Sequence, residues 1–210
     1  MKVQSSKNKK HALLLAITAG CVYSSWILGY VLNMRVALYG TASELAAFTQ
    51  PMRELYVVGD YIVAALMILV CIILRADAKS AAAKSAVTMY GIAAIFIAAA
   101  AHIALLCSTA DTGTCAGSDV NTRFILHNAI GVLANFSLFL AIIFAAQTGT
   151  RHMREHFQLQ FAAIGWAFLG LSTILVSSEM TNPLLHGFQQ RLFLVVTAAF
   201  MGLFPRLLRD

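Results

Sequence analysis

The residues best suited to chemistry cluster in CAGSDVNTRFILHN, residues 115–128. Asp119, Arg123, His127 and Asn128 stand there at the start of a long apolar run. A histidine beside a carboxylate can act as a general base. His127 with Asp119 is therefore a candidate pair for a lipid hydrolase or transferase. Imidazole and carboxylate also suit zinc, and that version would add His102. A guanidinium recognises phosphate through charge-assisted hydrogen bonds, which makes Arg191 a candidate headgroup contact. Yet the chain has no HExxH, no Gly-x-Ser-x-Gly and no clustered histidines. The sequence assigns no metal site, no cofactor and no particular reaction, so whether it is an enzyme stays open.

The elements that must position these groups follow from composition. Apolar residues make up 60% of the 210 and charged residues 11%, against about 45–50% and 25% in ordinary soluble domains. A membrane-crossing helix needs about 20 apolar residues. Six stretches approach that length, at about 12–33, 57–75, 86–107, 123–147, 159–178 and 188–204. Backbone polar groups in lipid must be paired internally, and long Ala, Leu and Ile runs are not alternating barrel strands. The expectation is an all-α integral membrane protein, one domain over 1–210, built as a six-helix bundle. The basic start MKVQSSKNKKH resembles a signal peptide, but the apolar run behind it lacks a small-residue cleavage site, so the first helix is expected to be retained.

Charge sets the expected topology. With the N-terminus inside, the outer segments hold only Arg35, Arg53, Arg123 and Arg191. The inner segments then hold the other 11 of the 15 Lys and Arg, among them Lys9, Lys10, Arg75, Lys79 and Arg206. That distribution favours both termini in the cytoplasm of a prokaryote, with the chain in the inner membrane. The net charge of +6 is then anchoring to anionic lipid, with no need of nucleic acid. Cys107 and Cys115 fall at the outer face, where a bridge is permitted and would contribute about 2–3 kcal/mol. Cys21 and Cys71 read as small apolar residues.

On this topology the polar groups gather at one depth. His127, Gly131 and Asn135 recur every four residues and share a helix face with Asn128 beside them. Asp60, His102, Glu179 and Arg191 belong to the outer ends of other helices. Polar groups in spans usually face the bundle interior or a wet cavity, so a polar pocket at the outer end is expected. Each residue also has a structural role to weigh against this. Asp119 can cap its helix or pair with Arg123, Arg191 can pair with Glu179 or Asp60, and His127 can be a hydrogen-bonded packing residue. Between the first two spans, LYGTASELAAFTQPMRELY reads as a short helix capped at Thr41 or Ser43, with Leu45, Phe48, Met52 and Leu55 on one face, or as a loop folded over the bundle mouth. Gly91, Ala94, Ala98 and Ala101 mark the third span as tightly packed. His152 and His156 are four apart but read as interfacial anchors.

SDVNTRFILHNAIGVLANFSLFLA resembles the fourth-helix motif, Asp then His, of a six-pass prokaryotic membrane family catalogued as domain of unknown function nine-nine-eight. GFQQRLFLVVTAAFMGLFPRLLR resembles that family's last helix, a Gly, an Arg and an aliphatic run closing on a basic tail. The first helix departs from the pattern in lacking a Ser-Asp-Leu-Gly-like motif. The family is similar in outline to the eukaryotic DRAM and Sfk six-pass groups, which are associated with lipid organisation. The resemblance marks Asp119, His127 and Arg191 and implies no established reaction.

Four functions are weighed on these residues. The first is a membrane protein whose outer pocket binds a lipid headgroup or a membrane-protein partner, a second copy of the chain included. The second is the hydrolase or transferase using His127 with Asp119. A small transporter ranks third, because the inner half lacks a polar path. A haem protein ranks last: His102 and His127 could be axial ligands, but no second pair exists.

Overall fold

The computed structural model describes residues 2–108, 118–148, 153–179 and 183–208. Side chains are described for these except 2–7, 118–121, 153, 154, 156, 157, 161, 172–179 and 183–186. Every regular element among them is a helix. In chain order they are α1 (Lys2–Tyr23), a 3₁₀ segment Ser24–Leu28, α2 (Gly29–Leu32), α3 (Met34–Tyr39), a 3₁₀ turn Ala42–Ala46, α4 (Arg53–Asp77), α5 (Ala81–His102), α6 (Ser118–Ala146), α7 (Met153–Glu179) and α8 (Pro183–Leu207).

Five helices are long and apolar enough to cross a membrane: Asn8–Leu32, Arg53–Asp77, Ala81–His102, Thr122–Ala146 and Gly187–Leu207. The first runs through α1, the 3₁₀ segment and α2. The described apolar part of α7 is the shorter Gln158–Leu171. The six long helices pack in a ring, α1 on α4, then α5, α6, α7 and α8, which returns to α1.

Small residues set the close approaches. A Cβ on Gly20 would stand 2.6 Å from the Ala198 carbonyl oxygen, so α1 and α8 meet backbone to backbone. On α5, Ala86, Ala93, Ala94 and Ala101 are buried. A Cβ on Gly91 would stand 3.3 Å from Cys71 Sγ on α4, and that thiol donates to the Val87 carbonyl at 3.3 Å. Such contacts hold helices together where lipid removes the hydrophobic drive.

Two devices handle backbone irregularities. Ser24 Oγ donates back to the Gly20 carbonyl at 3.0 Å. Serine back-bonding of this kind bends a helix, and the tighter 3₁₀ turn begins at that residue. At the opposite end of the bundle, Pro205 lies inside α8, in its last turn. Proline has no N–H and leaves the carbonyl four residues back unpaired. That carbonyl belongs to Met201, and Tyr90 OH donates to it at 3.1 Å in the buried core. The Tyr90 ring stacks on Phe204 with centroids 4.1 Å apart.

The stretch between α3 and α4 is folded onto the end of the bundle. Ala42 N–H donates to Gln190 Oε1 at 2.6 Å, Phe48 N–H to the Leu105 carbonyl at 2.9 Å, and Ser108 Oγ to Glu44 Oε2 at 2.6 Å. Thr41 occupies the cap position of the 3₁₀ turn, but its hydroxyl pairs with Ser43 Oγ instead of capping. Leu45 is buried while Phe48, Met52 and Leu55 are exposed. Their spacing therefore does not make one amphipathic helix. Phe48 instead stacks under the guanidinium of Arg53, 4.0 Å away, and near that of Arg123 at 5.7 Å.

Candidate functional site

A cavity of about 650 Å³ lies inside the ring, under the stretch that precedes α4. Its wall is polar at one end. There α4 contributes Tyr56 and Asp60, the 3₁₀ segments contribute Ser25, Trp26 and Ser43 with Thr41 at the second one's cap position, α6 contributes His127 and Asn128, and α8 contributes Gln190. Deeper in, Phe136, Phe139, Trp166, Phe193 and Leu194 make the wall aromatic and apolar. Trp166 organises that part. It stacks on Phe193 at 5.6 Å, sits 6.3 Å from Phe139, and fixes its ring by donating to Thr197 Oγ1 at 2.9 Å.

On the wall, Tyr56 of α4 and Ile97 and Ala101 of α5 are buried and Asp60 and Ala100 half-buried, whereas Phe124, Val132 and Phe136 on α6 and Leu171 on α7 are exposed. Among the described residues, then, the chamber is open between α6 and α7.

The α6 stripe reaches this wall as a set: His127, Asn128, Gly131 and Asn135 all line it. Asp60 joins them from α4 and is half-buried. His127 Nδ1 lies 3.1 Å from both the Ala100 and Ile103 carbonyls at the end of α5. Carbonyls only accept, so Nδ1 carries the proton. The imidazole thus satisfies carbonyls that the last turn of a helix leaves unpaired, and Nε2 is its remaining polar atom. Asn135 Nδ2 donates to the Gly131 carbonyl at 2.8 Å.

Two other residues take different places. His102 is exposed, 3.4 Å from Tyr61 OH, and does not line the chamber. Arg191 is 6% exposed and outside the wall. Its Nη2 donates to the Gly40 carbonyl at 3.2 Å, and its guanidinium sits 5.4 Å from the Tyr30 ring centroid. The side chains of Asp119, His156 and Glu179, and the residues Cys115 and His152, lie outside what the structure describes. Cys107 is disulfide-bonded, and Cys21 and Cys71 are free. No three His, Cys, Asp or Glu among the described residues could share a metal ion.

The sequence reading did not single out Tyr56, Trp26 or the burial of Glu44, which is 2% exposed. Tyr56 could have been found, since it precedes Asp60 by four residues and so shares its helix face. Trp26 and Glu44 depend on the 3₁₀ turns, which leave no periodic signal.

A ring of apolar helices around an amphipathic chamber defines a multi-pass membrane protein. Within that class the chain belongs to the family described as "Protein of unknown function (DUF998)", which matches residues 16–205. No curated protein and no solved structure matches it.

Proposed function

We propose that this chain is a six-pass protein of a prokaryotic inner membrane, with both termini cytoplasmic, and that its chamber binds a lipid by the headgroup. The observation that carries the reading is the chamber's polarity: hydrogen-bonding groups at one end, aromatic rings deeper in, and an open side between α6 and α7. Its volume lies in the usual range for small-molecule sites, about 300–1,000 Å³. A headgroup and the first part of the chains fit, and the rest of the chains leave through the open side. In the proposed topology α7 is one of the six spans, and the chamber's polar end faces outward.

Native mass spectrometry of the protein released gently from detergent tests the reading, since it reports bound lipid and subunit number together. A lipid adduct that weakens in His127→Ala supports it. A bare mass in every charge state overturns it and leaves the polar wall to a protein partner. Reporter fusions test the topology. Both terminal fusions should be active only with a cytoplasmic reporter, whereas an odd number of spans would place the termini on opposite sides.

A further inference from the structure

The described wall of the chamber holds one carboxylate, Asp60, and no lysine or arginine. Asp60 has no hydrogen-bond or ion-pair partner among the described residues. Arg191 does not serve as one: it lies outside the wall, where its guanidinium meets the Gly40 carbonyl, the Tyr30 ring and the field of Glu44. An unpaired carboxylate inside a membrane protein is costly and usually functional. Aromatic residues share the wall with it. Tyr23 is within electrostatic reach of Asp60, Tyr56 lies one turn away on the same face of α4, and Trp26 packs against the cluster that holds Tyr56. Aromatic faces attract cations. The same wall carries two buried donors without partners, Tyr56 OH and Trp26 Nε1, and Tyr56 is only 6% exposed.

We infer that the chamber selects a ligand bearing an ammonium group, with Asp60 as its counter-ion among Tyr23, Trp26 and Tyr56. The inference rests on the chamber being a ligand site. It reverses the charge that Arg191 alone would suggest, because a phosphate without an amine finds no cation in the described wall. An oxygen acceptor close to the ammonium would take the Tyr56 and Trp26 donors, while the apolar body lies along Phe136, Phe139 and Trp166. Two sources carry this chemistry: the headgroup of an aminolipid and a free hydrophobic amine.

The chain's two tryptophans, Trp26 and Trp166, both line the chamber, so intrinsic fluorescence reports its occupancy. The full chain, stripped of lipid in a neutral maltoside, would be titrated with brominated-chain phosphatidylethanolamine, its N-acetyl derivative and brominated-chain phosphatidylglycerol, and separately with phenylbutylamine. The expected result is quenching by phosphatidylethanolamine at least tenfold tighter than by the other two lipids, with the preference lost in Asp60→Asn and kept in Asp60→Glu. Equal quenching by all three lipids, or a preference that survives Asp60→Asn, overturns the ammonium assignment and leaves the chamber reading standing. An Asp60-dependent response to phenylbutylamine alone keeps the ammonium chemistry, moves its source to a free amine and overturns the lipid reading. No response to any probe overturns both. The wild-type ranking decides the assignment even if Asp60→Asn does not fold.

Discussion

Arg191 on α8 donates to the backbone carbonyl of Gly40, 3.2 Å away, and so ties the stretch before α4 to the last helix. Glycines stand on both sides of this contact, where a side chain would crowd it. A Cβ on Gly187 would stand 2.6 Å from Arg191 Nη1, and one on Gly40 would stand 2.5 Å from Glu44 Oε2. The buried carboxylate of Glu44 acts on Arg191 electrostatically and accepts from Ser108 Oγ. One arginine thus helps hold together α8, the 3₁₀ turn and the segment after α5.

Arg191→Ala should therefore act on stability. Hydrogen bonds to charged groups contribute about 1.5–3 kcal/mol, so the variant should lose about 2 kcal/mol or more and unfold at a lower temperature in detergent. Arg191→Lys should not restore the midpoint, because a lysine cannot reproduce the guanidinium fork. Thermal unfolding followed by gel filtration reads both. An unchanged midpoint with loss of anionic lipid would instead make Arg191 a ligand contact.

Tyr90 and Pro205 should be coupled. Tyr90→Phe leaves the Met201 carbonyl buried without a donor, at a cost of about 1–3 kcal/mol. Restoring the backbone donor with Pro205→Ala should reduce that cost to near zero. A double-mutant cycle measures the coupling, and additive single effects would show that the two residues act separately.

These relationships differ in how far the sequence could reveal them. Asp60, His127 and Asn135 were legible because polar residues in apolar spans point inward and a four-residue spacing fixes the shared face. The tight packing of α5 was legible from its alanines. The role of Arg191 was not, since its hydrogen-bond partner is a backbone carbonyl 151 residues away in the chain, and any residue can supply a carbonyl. The Tyr90–Met201 bond joins positions 111 residues apart, where neither residue type announces the contact. Gly20 and Gly165 look alike in sequence, and only the neighbouring helix distinguishes them.

That last contrast is testable. Gly20→Ala must push α1 from α8, and overpacking of this kind costs about 1–3 kcal/mol. A Cβ on Gly165 would meet no atom within 4 Å, so Gly165→Ala should be neutral or gain up to about 1 kcal/mol of helix propensity. Unfolding midpoints of the two variants should move in opposite directions or differ clearly in size.

The cysteines make a count. The chain has four, with Cys107 bridged and Cys21 and Cys71 free. If Cys115 is the partner of Cys107, denatured unreduced protein should label at two thiols and reduced protein at four. Cys107→Ser should then free Cys115 and lower stability by about 2–3 kcal/mol. Four reactive thiols before reduction would rule the bridge out.

Gly131 offers the sharpest handle on the chamber. It lines the cavity in the middle of the α6 stripe, and a Cβ added there meets nothing within 4 Å. A larger side chain can therefore enter the void without displacing the backbone. Gly131→Leu should fill part of the 650 Å³ and bury its apolar side chain inside the cavity, so its unfolding midpoint should hold or rise. Ligand occupancy should fall at least tenfold, because the added side chain takes the space between the polar end and the aromatic wall. Gly165→Ala serves as the control for a helix glycine outside the wall. Loss of bound ligand with stability intact assigns binding to the chamber itself. Retained ligand in a stable Gly131→Leu protein would place the binding surface elsewhere on the bundle.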